Sequence, residues 1–253
     1  MTNCIFILSH QDDEIGIFES ISSAVKRNEN VYIFFMTSGF IDNKIECSKY
    51  TIRDKESIKV LKKIGVKVEK IFFFGRLNNI KTLSLHHNLK ISYKKLKNFI
   101  KNLNGNIKLF THAYEGGNPD HDSCNILILN ILRNSKKLIN AYQFPFYNAN
   151  SRLLPYVVQK PLKINGPPIK IYSTFSNRLK YLTYLFYYKS QKKVWFGLYP
   201  FLIKNLLFKN YFLLQKINKN FIIKKPHAGK LLYEKFGYSK FYEIRSNFLK
   251  FLY

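Results

Sequence analysis

The stretch Cys4-Ile5-Phe6-Ile7-Leu8, followed at once by Ser9-His10-Gln11-Asp12-Asp13-Glu14, decides the reading of this chain. The first part is a short apolar run that suits a buried strand. The second places an imidazole and three carboxylates at that strand's end, where burial is costly unless the charges are paired, hydrogen-bonded or bound to a metal. The chain has 15 acidic residues, and six of them fall within residues 10–14 and 112–122. An even spread over 253 residues would put about one there. Three of the six His, namely His10, His112 and His121, share the same windows. In a chain with a formal net charge of +27, carboxylates gathered beside imidazoles suggest a cation site.

Working outward, apolar runs at 3–9, 31–37, 68–74, 107–113 and 138–146 read as strands. Segments 14–27, 51–64, 92–103 and 121–134 read as helices, with Ile17, Ile21 and Val25 on one face of the first. Strands alternating with helices imply an α/β fold, a Rossmann-like parallel sheet flanked by helices. Ligands in such sheets bind beyond the carboxyl ends of the strands, where both acidic windows fall. After residue 150 the texture changes. Pro155, Pro161, Pro167 and Pro168 break the chain, 169–172 suits a further strand, and 175–190 a helix. The aromatic, apolar stretch 196–216 reads as a helical lid, so residues 150–225 are expected to form a C-terminal helical and aromatic extension of a single 1–253 domain. The competing reading of that stretch is a membrane-surface helix, since aromatics beside Lys suit an interface.

Cys4, Cys47 and Cys124 have no paired spacing, which fits a reducing cytoplasm. The N-terminus lacks a basic n-region, and no apolar run reaches transmembrane length. Lys, Asn, Ile, Tyr and Phe are abundant together, as in AT-rich coding, and the Lys are spread without an Arg-rich stripe. The charge is therefore read as compositional, and nucleic acid is not the favoured partner. Nothing in the pattern speaks to an oligomeric state.

The two windows resemble the zinc-dependent de-N-acetylases of the PIG-L/LmbE type. Their His-Pro-Asp-Asp-Glu motif reads here His10-Gln11-Asp12-Asp13-Glu14, with Gly16 behind it. Their His-Pro-Asp-His-Asp motif, which follows a Gly, reads Gly117-Asn118-Pro119-Asp120-His121-Asp122. Smaller matches are Arg53-Asp-Lys-Glu56 before Leu61 and Gly65, Phe74-Gly75, Lys189-Ser190-Gln191 and Pro226-His227-Ala-Gly229, in order across residues 3–234. The resemblance puts a divalent metal, zinc or another ion such as iron(II), on His10, Asp13 and His121. Three protein ligands with one position left for water is the pattern of hydrolytic zinc. It gives Asp12 the role of proton acceptor, places His227 near the metal as candidate acid or oxyanion donor, and turns Arg53 toward substrate.

Asp120 and Asp122 are candidates to orient the ligating imidazoles, because metal-bound His usually donates its other N–H to a carboxylate or carbonyl. Glu14 reads as a cap or a support residue, His112 is ambiguous between ligand and satisfied polar group, and His86 and His87 read as surface. Two departures stand out. Gln11 replaces the usual Pro, and Asn118 replaces a His that helps stabilise the transition state; Asn can donate a hydrogen bond but carries no titratable proton.

The implied activity is metal-dependent hydrolysis of an N-acyl group, most simply acetyl, from an amino sugar or a glycan or glycolipid precursor. The substrate would be a small molecule or lipid-linked, with peripheral membrane contact open. Trp195 and its aromatic neighbours are compatible with stacking on a sugar. A metal-retaining, non-catalytic glycan-binding member of the fold is the alternative, supported by Asn118. A nucleotide-binding doubly wound protein would need a Gly-rich turn after the first strand, and this chain has acids there.

Overall fold

The computed structural model describes residues 1–40, 51–191 and 196–253. Five parallel strands form the body of the sheet: β1 (Thr2–Leu8), β2 (Asn30–Phe35), β3 (Ile71–Phe72), β4 (Asn106–His112) and β5 (Ile139–Phe144). A two-stranded hairpin follows, β6 (Tyr147–Asn148) with β7 (Val157–Val158). Two antiparallel strands, β8 (Pro168–Tyr172) and β9 (Tyr211–Lys216), extend the sheet to the order β3-β2-β1-β4-β5-β9-β8.

The helices are α1 (Phe18–Lys26), α2 (Ile52–Ile64), α3 (Phe74–Leu77), α4 (Leu89–Lys101), α5 (Pro119–Asn134), α6 (Phe175–Leu185), α7 (Tyr199–Phe208), α8 (Leu232–Lys235) and α9 (Phe241–Leu252). Strand β1 shows why they divide into two layers. Alternate side chains leave a strand on opposite faces. Cys4, Phe6 and Leu8 join a core with α1 and α2, while Ile5 and Ile7 join one with α4, α5 and α9. Both faces are covered, so β1 is apolar throughout, as buried parallel strands are. Phe6 stacks on Phe110 of β4 with centroids 4.6 Å apart.

Strand order reverses direction between β1 and β4, which are hydrogen-bonded neighbours with Ile7 opposite Thr111. That is the switch point at which an open α/β sheet leaves a crevice. Both acidic windows begin there, one after Leu8 and the other at His112.

The extension departs from the expected lid. In the described part of 196–216, residues 196–197 and Tyr199–Phe208 are helical, while Tyr211–Lys216 is strand β9. The run Tyr-Phe-Leu-Leu has no intrinsic commitment to helix, and pairing to β5 on one side and β8 on the other decides it. Helix α6 likewise ends at Leu185, not 190. The expected 68–74 strand shrinks to Ile71–Phe72, and the chain turns into α3 instead. Trp195 and Cys47 lie outside the described residues.

Candidate metal centre

The first βα turn is unusually constrained. Asp12 adopts φ 110°, a left-handed conformation that a non-glycine residue holds only when its surroundings fix it. Arg53 supplies part of that fixing: its Nη2 donates to the Gln11 carbonyl at 2.7 Å and its Nη1 to the Gly39 carbonyl at 2.7 Å. The same Nη2 lies 3.5 Å from the Asp12 carboxylate. Gln11, which stands where a Pro was expected, donates from Nε2 to Asp54 at 2.7 Å. Asp54 also closes a capping box with Thr51 at the start of α2. The substitution thus exchanges a rigid ring for a side-chain tether between the turn and α2. Glu14 is fully buried, accepting from the Asp12 N–H and from the Tyr188 hydroxyl at 2.8 Å. It is a support residue, as its position suggested.

The second turn is built on α5. Asn118 is the N-cap: its Oδ1 accepts the Asp120 N–H at 2.8 Å, and Pro119 opens the helix where no N–H is needed. Before it, a Cβ at Gly117 would lie 2.0 Å from the Tyr147 carbonyl oxygen, so only glycine lets this turn sit against β6. Asp122 accepts the N–H groups of Glu115 and Gly116 through Oδ1. It holds the backbone of the turn and, among the described residues, bonds no imidazole, contrary to the orienting role expected for it.

These two turns bring His10, Asp13 and His121 together. Their ligand atoms lie within 4.8 Å of one another, and all three residues are buried. Asp13 Oδ2 accepts the His10 N–H at 2.6 Å and lies 3.0 Å from His112 Nε2. Its Oδ1 is 3.3 Å from His121 Nε2. That last pair is close but not aligned as a hydrogen bond, and both ring nitrogens of His121 lack a hydrogen-bond partner. A buried imidazole without a partner is an expensive arrangement unless something else takes its lone pair. Asp120, expected to orient an imidazole, does contact one. Its Oδ2 meets His10 Nε2 at 3.1 Å, leaving Nδ1 on the Asp13 side, and its oxygens also accept the Leu83 and Leu85 N–H groups.

The electrostatics match a cation. Burial and the neighbouring His112 hold His121 down to about pKa 3, so the ring is neutral and able to ligate. Burial opposes ionisation of Asp13, but His112, His121 and His10 outweigh it and keep the carboxyl well below its usual range. Burial lowers His10 as well, yet the Asp13 and Asp120 carboxylates carry it up to about 10. The same field that favours a proton there favours a metal ion. Two nitrogens and one carboxylate oxygen form the donor set of a hydrolytic zinc site, and the residues present fit a divalent ion.

Asp12 stands beside the set, raised by burial to about 7 against the pull of Arg53. His112 is fully buried, stacked on His121 at 3.7 Å and directed at Asp13; it fixes the carboxylate rather than capping a strand idly. His227 is not brought into contact with these residues. It sits half-buried after β9, with Nδ1 2.8 Å from the Ala228 carbonyl and Lys225, Lys235 and Glu234 as its charged neighbours. Its loop is tied in at Gly116, whose carbonyl accepts the Leu232 N–H. His86, expected at the surface, is buried instead, its ring tilted against that of His87 with centroids 3.9 Å apart.

Two neighbours escaped sequence reasoning. Glu115 is fully buried and accepts three N–H donors, from Phe146, Tyr147 and Asn148. Burial nonetheless lifts it to about 8. Tyr147 lies 5.2 Å from His121 ring to ring, and its hydroxyl meets the Asn118 side chain. Glu115 was visible as one more acid in the second window; Tyr147 had no local signal.

Comparison with known proteins agrees with this geometry. The chain resembles in structure a deacetylase triple mutant from the teicoplanin biosynthetic pathway, with a TM-score of 0.62 at 16% identity over 85% of this chain and 98% of that one. It also resembles the N,N'-diacetylchitobiose deacetylase of Pyrococcus horikoshii, with 0.57 at 19% identity over 89% and 87%. The deacetylase of the A40926 pseudoaglycone gives 0.57 at 15% over 89% and 98%. At these identities the likeness establishes the fold. No curated protein matches the chain significantly in sequence. The family model for GlcNAc-PI de-N-acetylase matches residues 5–132, which include both turns and every residue of the donor set. The chain belongs to the PIG-L, or GlcNAc-PI de-N-acetylase, family.

Proposed function

We propose that this chain is a metal-dependent amide hydrolase that removes an N-acyl group, acetyl in the simplest case, from an amino sugar or a glycan or glycolipid precursor. The observation that carries the reading is the buried His10–Asp13–His121 donor set with Asp12 and Arg53 at its side. The solved structures it resembles include a deacetylase of the teicoplanin biosynthetic pathway and an N,N'-diacetylchitobiose deacetylase, which supports an N-acetylated sugar as the substrate class.

Zinc or iron(II) bound there would supply Lewis acidity and make water a nucleophile near neutral pH. The chain's own groups do the rest. Asp12 accepts the proton of the attacking water as the new C–O bond forms at the acyl carbon, and returns it to the nitrogen when the C–N bond breaks. The products are a carboxylate and a free amine. Arg53 holds the Asp12 carboxylate and the backbone of its turn in place. Asn118, with its Oδ1 committed to the helix cap and its side chain also meeting the Tyr147 hydroxyl, has one further N–H to offer the developing oxyanion. His227, expected on the leaving-group side, lies apart from the donor set, so protonation of the amine falls to Asp12. The cap role gives Asn118 a structural reason of its own, which removes the main support for a non-catalytic binding member.

We place the enzyme in the cytoplasm, with lipid-linked substrate and peripheral membrane contact as the finer reading. Among the described residues no helix is long and apolar enough to cross a membrane. The first experiment is the metal content of chain purified without chelator, beside Asp13→Ala and His121→Ala, followed by a screen of N-acetylated amino sugars for amine release. One divalent ion per chain, lost in both variants, with amine release that requires it, is the expected result. A metal-free native chain that gains no activity from added zinc would sink the reading.

A further inference from the structure

The even scatter of Lys along the chain conceals an uneven scatter of acids. From Ser123 to Tyr233 there is no Asp or Glu, while the same stretch carries 19 Lys or Arg. A compositional drift toward Lys adds cations everywhere, but it does not clear carboxylates from 111 consecutive residues.

The structure concentrates part of this charge. A cleft of about 580 Å³ lies among β7, β8, β9 and α7. Lys160, Lys170, Lys204 and Lys209 line it, over an apolar floor that includes Val158, Phe201 and Leu213, and among the described residues no acid takes part. Among the described residues none of the four ammonium groups pairs with a carboxylate. Lys170 sits over the Tyr211 ring at 4.6 Å. Lys209 is half-buried, and burial together with Lys204 holds its pKa below the usual lysine value. Like charges gathered over a low-dielectric floor repel one another and focus a positive potential on whatever enters. The other large cleft also carries four lysines, Lys137, Lys163, Lys216 and Lys219, but there Lys137 donates its ammonium to the carbonyls of Ile100, Lys101 and Leu103.

The lysine cleft also shares a wall with the metal centre. Val158 pairs across the β6–β7 hairpin with Tyr147, whose ring is 5.2 Å from that of His121. Gln159 ties the two sides further, donating its N–H to the Phe146 carbonyl and accepting from Asn205 of α7.

We propose that the cleft of Lys160, Lys170, Lys204 and Lys209 binds the phosphate or pyrophosphate group of an anionic ligand, free in solution or carried as a lipid headgroup. The site stands apart from the hydrolase reading, because its readout is binding and needs neither metal nor turnover.

The test uses the full chain with two probes: inorganic pyrophosphate by calorimetry, and phosphatidylglycerol vesicles against phosphatidylcholine vesicles by sedimentation, at fixed ionic strength. Lys204→Glu/Lys209→Glu is compared with Lys90→Glu/Lys94→Glu, which changes the net charge equally on exposed positions of α4. Lys160→Glu/Lys170→Glu, on two exposed cleft positions, is the second cleft variant should the first fold poorly by circular dichroism. Loss of charge-assisted contacts is expected to weaken binding by about tenfold or more in the cleft variants, and far less in the α4 variant. Pyrophosphate binding identifies a free phosphate ligand, and binding to phosphatidylglycerol vesicles alone identifies a headgroup. Equal loss in cleft and α4 variants, or no binding of either probe, overturns the proposal, whatever the metal content proves to be.

Discussion

The two ends of the sheet use charge in opposite ways. At the carboxyl ends of β1 and β4, buried carboxylates and imidazoles interlock, each held by backbone N–H groups or by one another. At the β8–β9 end the side chains of β8 are largely exposed, and cations line a cleft in which, among the described residues, no acid takes part. The difference teaches that carboxylates in this chain stand where a positive partner must be held, whereas its cations are spread more freely. An overall charge of +27 therefore says little about the site, while the placement of 15 acids says a great deal.

The strongest way to break that contrast is to remove charge from the crevice while sparing the donor set. Asp12→Asn should lower turnover by about 10²–10⁴-fold, the usual contribution of a general base, with metal content unchanged. Steady-state kinetics beside metal analysis checks it, and an unaffected turnover would free Asp12 from the role. Asp120→Asn acts one contact further out. Loss of the His10 partner should weaken metal affinity by about 10–100-fold, read by competition with a chelator. Asn118→His sharpens the comparison at the helix cap. If Asn is a weakened donor, the variant raises turnover; a fall would show that the cap matters more than the donor.

Glu115 offers a test by pH. Its folded pKa of about 8, against an ordinary 4.5, means that the folded chain binds more protons between those values. Stability from this group is therefore full below about pH 4.5 and declines as pH rises toward about 8. Glu115→Gln should flatten that decline, measured as denaturant midpoints at pH 5 and pH 8. A decline as steep as in the native chain would assign the slope elsewhere. The smallest effect belongs to the far end: Phe208→Ser, at a position 80% exposed, should shift stability by no more than about 0.5 kcal/mol.

The parallel half of the fold was legible because its signals are local. Cys4–Leu8 is apolar throughout and followed by polar residues, and the helix expected over 121–134 is found two residues longer at its start, at Pro119–Asn134. His10, Asp13 and His121 were singled out through the resemblance of their two motifs to the PIG-L/LmbE type, and the structure brings the three side chains together. What escaped depends on contacts distant in sequence. Tyr211–Lys216 becomes a strand only because β5 has an open edge, and His86 is buried by packing that a His-His dipeptide does not announce. Asp122 was read as a partner for an imidazole because it neighbours one in sequence, but its position in the first turn of α5 turns it to the Glu115 and Gly116 amides. Tyr147 reaches Asn118 through the Gly117 contact, which no periodicity records.

The pairing of β9 with β5 has a consequence for biosynthesis. A ribosome delivers β1 to β5 by residue 144, and those strands carry the parallel sheet with its crevice. The partner of Tyr142 and Gln143 arrives only with Gln215 and Lys216, some seventy residues later. Until then β5 presents bare N–H and C=O groups to any strand nearby, the kind of edge that recruits other chains. A nascent chain stalled between residues 144 and 211 would hold its metal ligands already in place and an unclosed sheet beside them. Chaperone demand should peak in that window.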